Sequence, residues 1–384
     1  MRFPEFSGEW KSKFINDLAS VVSGGTPDTS VKSFWNGNIQ WFTPSEIGKN
    51  KYVDSSLRTI TEEGLNNSSA KLLPPHTILL SSRATVGECS LSLKECATNQ
   101  GFQSLIAQSC DTNFLYYLIQ TKKKDLIRKA CGSTFLEISA NEVRKIQVKI
   151  PYDNEQKKIA DFLSLIDERI FTQNKIIEKY ESLIQAISQK VLRPSEYWNE
   201  YRLCELADIR SGYSGNQVSH KTAYAVSRIE TISKHRIDML RVGYVQDIPS
   251  EYKLNVGDIL FSNINSIQYI GNTAFVDKEY NLYHGMNLLR IIPKPSLVIP
   301  RFLHLILCTS MAIKHFQSIC NKAVSQASIN QTSLGKIMLH IPPLTCQEQI
   351  CNVFESVEQR LNLEVYYLKR IQLQKNYLLR QMFI

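Results

Sequence analysis

Two stretches of the chain place apolar residues at alternating spacings of three and four. The first runs Leu163, Ile166, Ile170, Ile177, Tyr180, Ile184, Ile187, Val191, with Gln173 in the slot after Ile170. The second runs Phe354, Val357, Leu361, Leu368, Ile371, Leu378, Met382, with Glu364 and Lys375 in the remaining slots. This alternation is a heptad seam, the mark of a helix that pairs along a coiled coil. The second seam repeats the first at an offset of 191 residues, and Gln173 and Glu364 occupy the same slot. A polar residue in a seam fixes register at some cost in stability; Lys375 is a further break in the later helix. One such stripe is ordinarily a core helix. Two at one offset, each closing a half of the chain, predict long helices that pair antiparallel about a pseudo-twofold axis. Pro194 ends the first. The seam covers about 29 residues, or roughly 40 Å at the helical rise. That is about 12 base pairs of duplex, enough for a rod that spaces two readers.

The repeat extends beyond the helices. Ile138, Lys145, Ile146, Ile150 and Pro151 match Ile329, Lys336, Ile337, Ile341 and Pro342 at the same offset of 191. Looser matches join 14–25 to 201–212, 76–82 to 257–263, 99–106 to 283–290 and 114–119 to 302–307. Between these anchors the halves share little. The expected fold is therefore α+β, with two similar mixed α/β domains at 1–152 and 194–344. Long antiparallel coiled-coil helices follow them at 153–193 and 345–384, completing a pseudo-twofold internal repeat.

Within the first domain, 37–47 and 76–88 read as strands broken by Gly, Pro and Asn, and 112–124 and 125–130 as helices. The turn Ser23-Gly24-Gly25-Thr26-Pro27 offers backbone amides and a hydroxyl, suited to phosphates or base edges; its plainer reading is a loop between strands. Ser81, Ser82, Arg83 and Thr85 follow an apolar strand. Arginine is the commonest bidentate partner of guanine, with a surface salt bridge as the competing role. The second domain places Tyr213 and Asn216, then Ser262, Asn263 and Asn265, at equivalent points. Asparagine pairs with adenine and is equally at home in turns. Lys122, Lys123, Lys124, Arg128 and Lys129 could track phosphates, although such runs are more often solvated helix faces.

Composition narrows the class. Of 384 residues 43% are hydrophobic and 21% charged, which allows two or three folded domains. The formal net charge of +9 points to a polyanionic partner. No secretory signal or run of 18 apolar residues is evident, so the expected location is the cytoplasm. The nine cysteines are scattered without a CxxC pair, and neither a zinc site nor a disulfide framework is expected. No P-loop, GxGxxG, HExxH or Asn/Asp-Pro-Pro-aromatic motif occurs, and the seven histidines show no motif spacing. No catalytic or metal residue is assigned.

The opening RFPEFSGEW, the SGGTP turn, the W-x-G-x-I-x-W run at Trp35–Trp41, LLSSRATVG, NQGF and the segment Ile150–Asp167 resemble type I restriction–modification specificity subunits over essentially the whole chain. The second copy departs from the pattern. Thr345-Cys346-Gln347 stands where an acidic-Gln pair is expected, unless Glu348-Gln349 fills that place, and the second domain lacks the full GGTP turn. The resemblance implies two target-recognition domains, each reading half of a split DNA site, in a subunit with no chemistry of its own. It also implies two modification subunits carrying S-adenosylmethionine for adenine methylation. Two restriction subunits using ATP and Mg would then cleave, as in phage defence. The exposed sides of Asp161–Gln189 and Asn352–Gln374 are the expected docking faces. The rival readings are an enzyme with its own active site and a scaffold that does not bind DNA.

Overall fold

The computed structural model describes residues 1–132, 136–322 and 326–383, which fall into two units: 1–177 with the stretch from 364 onward, and 178–363. Each unit takes up part of both long helices.

In the first unit, strand Lys11–Phe14 pairs antiparallel with Gln147–Ile150, closing the domain just before the long helix begins. The main sheet has the order Ala19–Ser23, Gln103–Ala107, Ile78–Leu80, Cys89–Ser92, Tyr52–Val53. Its first four strands are antiparallel and Tyr52–Val53 joins parallel. A second sheet, Arg58–Ile60, Trp35–Phe42, Cys96–Thr98, carries its own core of Trp35, Trp41 and Ile60. Asp111 caps helix Thr112–Thr121 by accepting from the Phe114 amide. That helix packs Phe114, Leu115 and Leu118 into one core with Ile15, Ile78 and Leu105. The basic segment expected as one helix to Lys124 breaks at Lys122, and a second helix runs Lys123–Lys129.

The second unit repeats this frame. Asn199–Arg202 pairs with Met338–Ile341, and the main sheet is Ala207–Ser211, Leu288–Pro293, Ile259–Ser262, Thr273–Phe275, all antiparallel. Helix Pro300–Leu307 covers it. The insert differs, with a four-stranded sheet (Gln217–Val218, Gly243–Val245, Tyr224–Val226, Leu282–Tyr283) and a hairpin, Ile232–Ser233 with Arg236–Ile237. The elements also correct two of the looser alignments. Ile15–Leu18 corresponds to Leu203–Leu206, one position off the 14–25 match. Thr98 and His284, and Leu105 and Ile291, occupy equivalent places, so the 99–106 match is two positions off throughout.

The long helices are Asp153–Val191 and Leu344–Met382, 39 residues each. Every seam position is buried or half-buried. In the first unit Lys375 pairs with Asp167 at 2.7 Å. Gln173 donates to the Glu364 carbonyl at 3.1 Å and its carboxylate at 2.5 Å. Numbers rise on one segment as they fall on the other, so the segments run antiparallel. The two polar slots meet each other, and the Lys375 break is answered by an acid. In the second unit Ile184, Ile187 and Val191 share a core with Ile350, Cys351 and Phe354.

The start of each helix is fastened alike. Gln156 donates to the Pro151 carbonyl at 2.9 Å and accepts from the Asp111 amide at 3.1 Å. Gln347 donates to the Pro342 carbonyl at 2.9 Å and accepts from the Ile299 amide at 2.8 Å. Gln347 is thus the counterpart of Gln156, and Glu348-Gln349 is not. Cys346 stands where the first copy has Glu155, which is buried and paired with Arg2 at 2.7 Å.

Candidate nucleic-acid interface

Three antiparallel strands place their connections at one end of the first unit's sheet. Ala19–Ser23 leaves into 24–27, Ile78–Leu80 leaves into 81–85, and 99–101 enters Gln103–Ala107. Backbone bonds tie them together: Gly25 amide to Thr98 carbonyl at 2.8 Å, Ser82 amide to Gly101 carbonyl at 2.8 Å, and Ile138 amide to Ser82 carbonyl at 3.0 Å. The candidate segments read from the sequence therefore converge on one loop cluster. Residues 136–138, which sequence reasoning missed, join them through the bridge between Arg83 and Glu137.

Several residues serve inside this cluster instead of facing out. A side chain on Gly24 would meet the Asn99 carbonyl at 2.0 Å, and one on Gly25 the Ala70 amide at 2.3 Å. Both are glycine because backbone passes there. Gly25 does not expose its polar groups as expected, since its carbonyl also accepts from the Trp41 indole at 2.9 Å. Ser81 and Ser82 are fully buried. The Ser81 hydroxyl bonds to the Arg83 carbonyl and Thr85 hydroxyl at 3.0 and 2.9 Å. The outward groups are Thr26, bonded to exposed Gln100 at 2.6 Å, together with Thr85 and Arg83. Arg83 is half-exposed and paired with Glu137 at 2.6 Å, the competing role named above. An exposed pair of this kind is worth little and is readily exchanged for another anion.

The second unit builds the same cluster. Tyr213 donates its amide to the His284 carbonyl at 3.0 Å, Ile329 to the Asn263 carbonyl at 2.9 Å, and strand Ile264–Asn265 pairs with Ala327–Ser328. Ser262 is buried. The Asn263 amide donates to the Ile329 carbonyl at 3.3 Å, and Asn265 to the Ser262 hydroxyl at 3.1 Å. These asparagine amides fasten the loop; they do not stand free for a base. Tyr213 is half-buried against Tyr252, and Asn216 is exposed. His284 lies beneath, donating Nε2–H to the Leu288 carbonyl at 3.0 Å, and burial holds its pKa down at about 4. Of the basic run, Lys123, Arg128 and Lys129 are paired with Glu88, Asp125 and Glu142.

This is a duplicated α+β protein with one loop cluster per half and a helical seam. The model of the type I restriction modification DNA specificity domain matches residues 7–182 and again 195–372, and the chain belongs to that family. It is 36% identical over 179 residues to the type I restriction enzyme MjaIX specificity subunit of Methanocaldococcus jannaschii. It is 30% identical over 175 residues to the EcoR124I/EcoR124II specificity subunit of Escherichia coli. Those matches cover 44% of this chain and 41% and 43% of the relatives, so they span under half the relatives' length. The crystal structure of a type I restriction–modification S subunit from M. genitalium has the same fold, with a TM-score of 0.60 and 16% identity over 100% of this chain and 99% of that one. No described helix is long and apolar enough to cross a membrane.

Proposed function

We propose that this chain is the specificity subunit of a type I restriction–modification complex, and that each loop cluster reads one half of a split DNA target. The observation that carries the proposal is the cluster built twice, at the same end of the same strand order, in two segments that match a DNA specificity domain. A constant frame with different inserts is what two readers of different half-sites require. The net charge of +9 suits a polyanion. Phosphate contacts then set position while base-edge contacts specify sequence. Thr26, Arg83, Thr85 and Asn216 are the outward groups that we assign to DNA, and the seam length sets the gap between half-sites.

In this reading the subunit performs no chemistry. Two modification subunits hold S-adenosylmethionine, and two restriction subunits use ATP and Mg. The modification subunits dock on the outer sides of Asp161–Gln189 and Asn352–Gln374. Those stretches expose Leu165, Phe171, Val365, Tyr366 and Leu373, more apolar surface than a solvated helix face needs.

The test is binding of the chain, co-expressed with its methyltransferase, to duplex DNA across a salt series. Steep, log-linear loss of affinity with salt is expected. Salt-independent binding, or none, favours a scaffold. Methyl-donor binding by the isolated chain favours an enzyme.

A further inference from the structure

We propose that His235, His304 and Cys308 of the second unit form a binding site for a soft divalent cation of the zinc type. His304 and Cys308 lie four residues apart, at the end of helix Pro300–Leu307 and its cap, which puts both on one helix face. His235 comes from the turn of the hairpin Ile232–Ser233 and Arg236–Ile237. The three donor atoms all lie within 4.8 Å of one another. The Cys308 sulfur is 3.3 Å from His235 Nδ1 and 3.4 Å from His304 Nε2. A tetrahedral zinc with its usual bond lengths sets sulfur and nitrogen about 3.6 Å apart, so each sulfur–nitrogen pair needs to open by only a few tenths of an ångström, with the two ring nitrogens closing on the ion from within 4.8 Å of each other.

Lys234 and His235 both sit in the left-handed region, at φ 49° and 62°, as the two central residues of a type I′ hairpin loop between paired Ser233 and Arg236. His304 is buried, Cys308 half-buried and His235 exposed, which gives an ion a way in. Burial keeps the His304 imidazole neutral and pushes the Cys308 thiol up to about 12, so without metal the cluster carries no charge.

Arg301 donates to His304 Nδ1 at 3.0 Å, which puts the ring proton of the metal-free site on Nε2, facing the sulfur. On loading, the cation takes Nε2, the ring proton moves to Nδ1, the Arg301 Nη1 donor gives up its bond to that nitrogen, and the thiol proton leaves to solvent. Arg301 stays on Glu358, which it holds through two bonds of 2.5 and 2.6 Å. No fourth His, Cys, Asp or Glu joins the group among the described residues, so water completes the shell. The metal would pin the hairpin, which has no counterpart among the described residues of the first unit, to a helix of the shared frame. Sequence inspection misses the site because the donors are 69 residues apart at their closest inter-element spacing and form no CxxC.

The test is a Co²⁺ titration of the chelator-treated full chain, following the thiolate-to-cobalt charge-transfer band, with Zn²⁺ as competitor. One equivalent per chain is expected. Cys308→Ser should abolish the band, and His235→Asn should weaken binding at least about tenfold. Asparagine tolerates the left-handed turn, so the second variant keeps the fold. Circular dichroism checks both. No band in the folded chain, or an unchanged band in either folded variant, overturns the proposal and leaves a purely hydrogen-bonded cluster.

Discussion

Gly24 has backbone where any larger residue would put its Cβ, with the Asn99 carbonyl 2.0 Å from that point. Gly24→Ala must push the 98–101 loop away. It should cost about 1–3 kcal/mol in urea unfolding and impair reading of one half-site; wild-type stability would refute the packing account. Arg83→Ala should relax or weaken one half-site only, scored by binding to targets altered in either half. Loss of both, or of neither, counts against Arg83 as a reader. The buried His284 responds to acid. The unfolded chain takes up this proton near pH 6.5 and the folded chain near 4, so the unfolded state binds more protons between those values. Stability should therefore fall as pH is lowered through that window, by about 2 kcal/mol between pH 7 and 5. His284→Gln should flatten the difference; an identical slope in the variant would show the titration lies elsewhere. At this scale the sequence was only partly legible. The types in 81–85 and 262–265 suit DNA, but Ser82 is buried where Ile138 donates to its backbone carbonyl, and the Asn263 side-chain amide turns to the Ile329 carbonyl, partners from far along the chain. Nothing local announces such a partner.

The helices were far more legible than the loops, because a heptad repeat is a local rule and the offset of 191 tests it twice. Gln173 and Glu364 stood out as polar slots, and the fold joins them to each other. Replacing both with leucine should raise thermal stability, since a buried polar pair contributes less than packed apolar groups of similar volume. Gln173→Leu alone should lower it by about 1–3 kcal/mol, because the buried Glu364 carboxylate loses one charge-assisted hydrogen bond. If the single and double replacements shift the melting temperature equally, the pair is not coupled. The Gln156 and Gln347 latches were legible in position only. Their role became visible once the fold brought the Asp111 and Ile299 amides to them.

For the whole molecule, duplication gave the architecture. The inserts resisted, because their short strands carry little periodicity and the second unit's extra sheet has no copy to compare with. Charge reversals on the exposed sides of Asp161–Gln189 and Asn352–Gln374 should abolish co-purification of the methyltransferase from a folded chain. Unchanged co-purification would move the docking face elsewhere. The most direct test of the central claim is genome-wide mapping of methylated adenines in cells carrying this chain with its methyltransferase, against cells lacking the chain. The account predicts a split motif, two short half-sites with a fixed gap, that appears only when the chain is present. If no motif depends on the chain despite verified expression and complex formation, its role as the reader is contradicted.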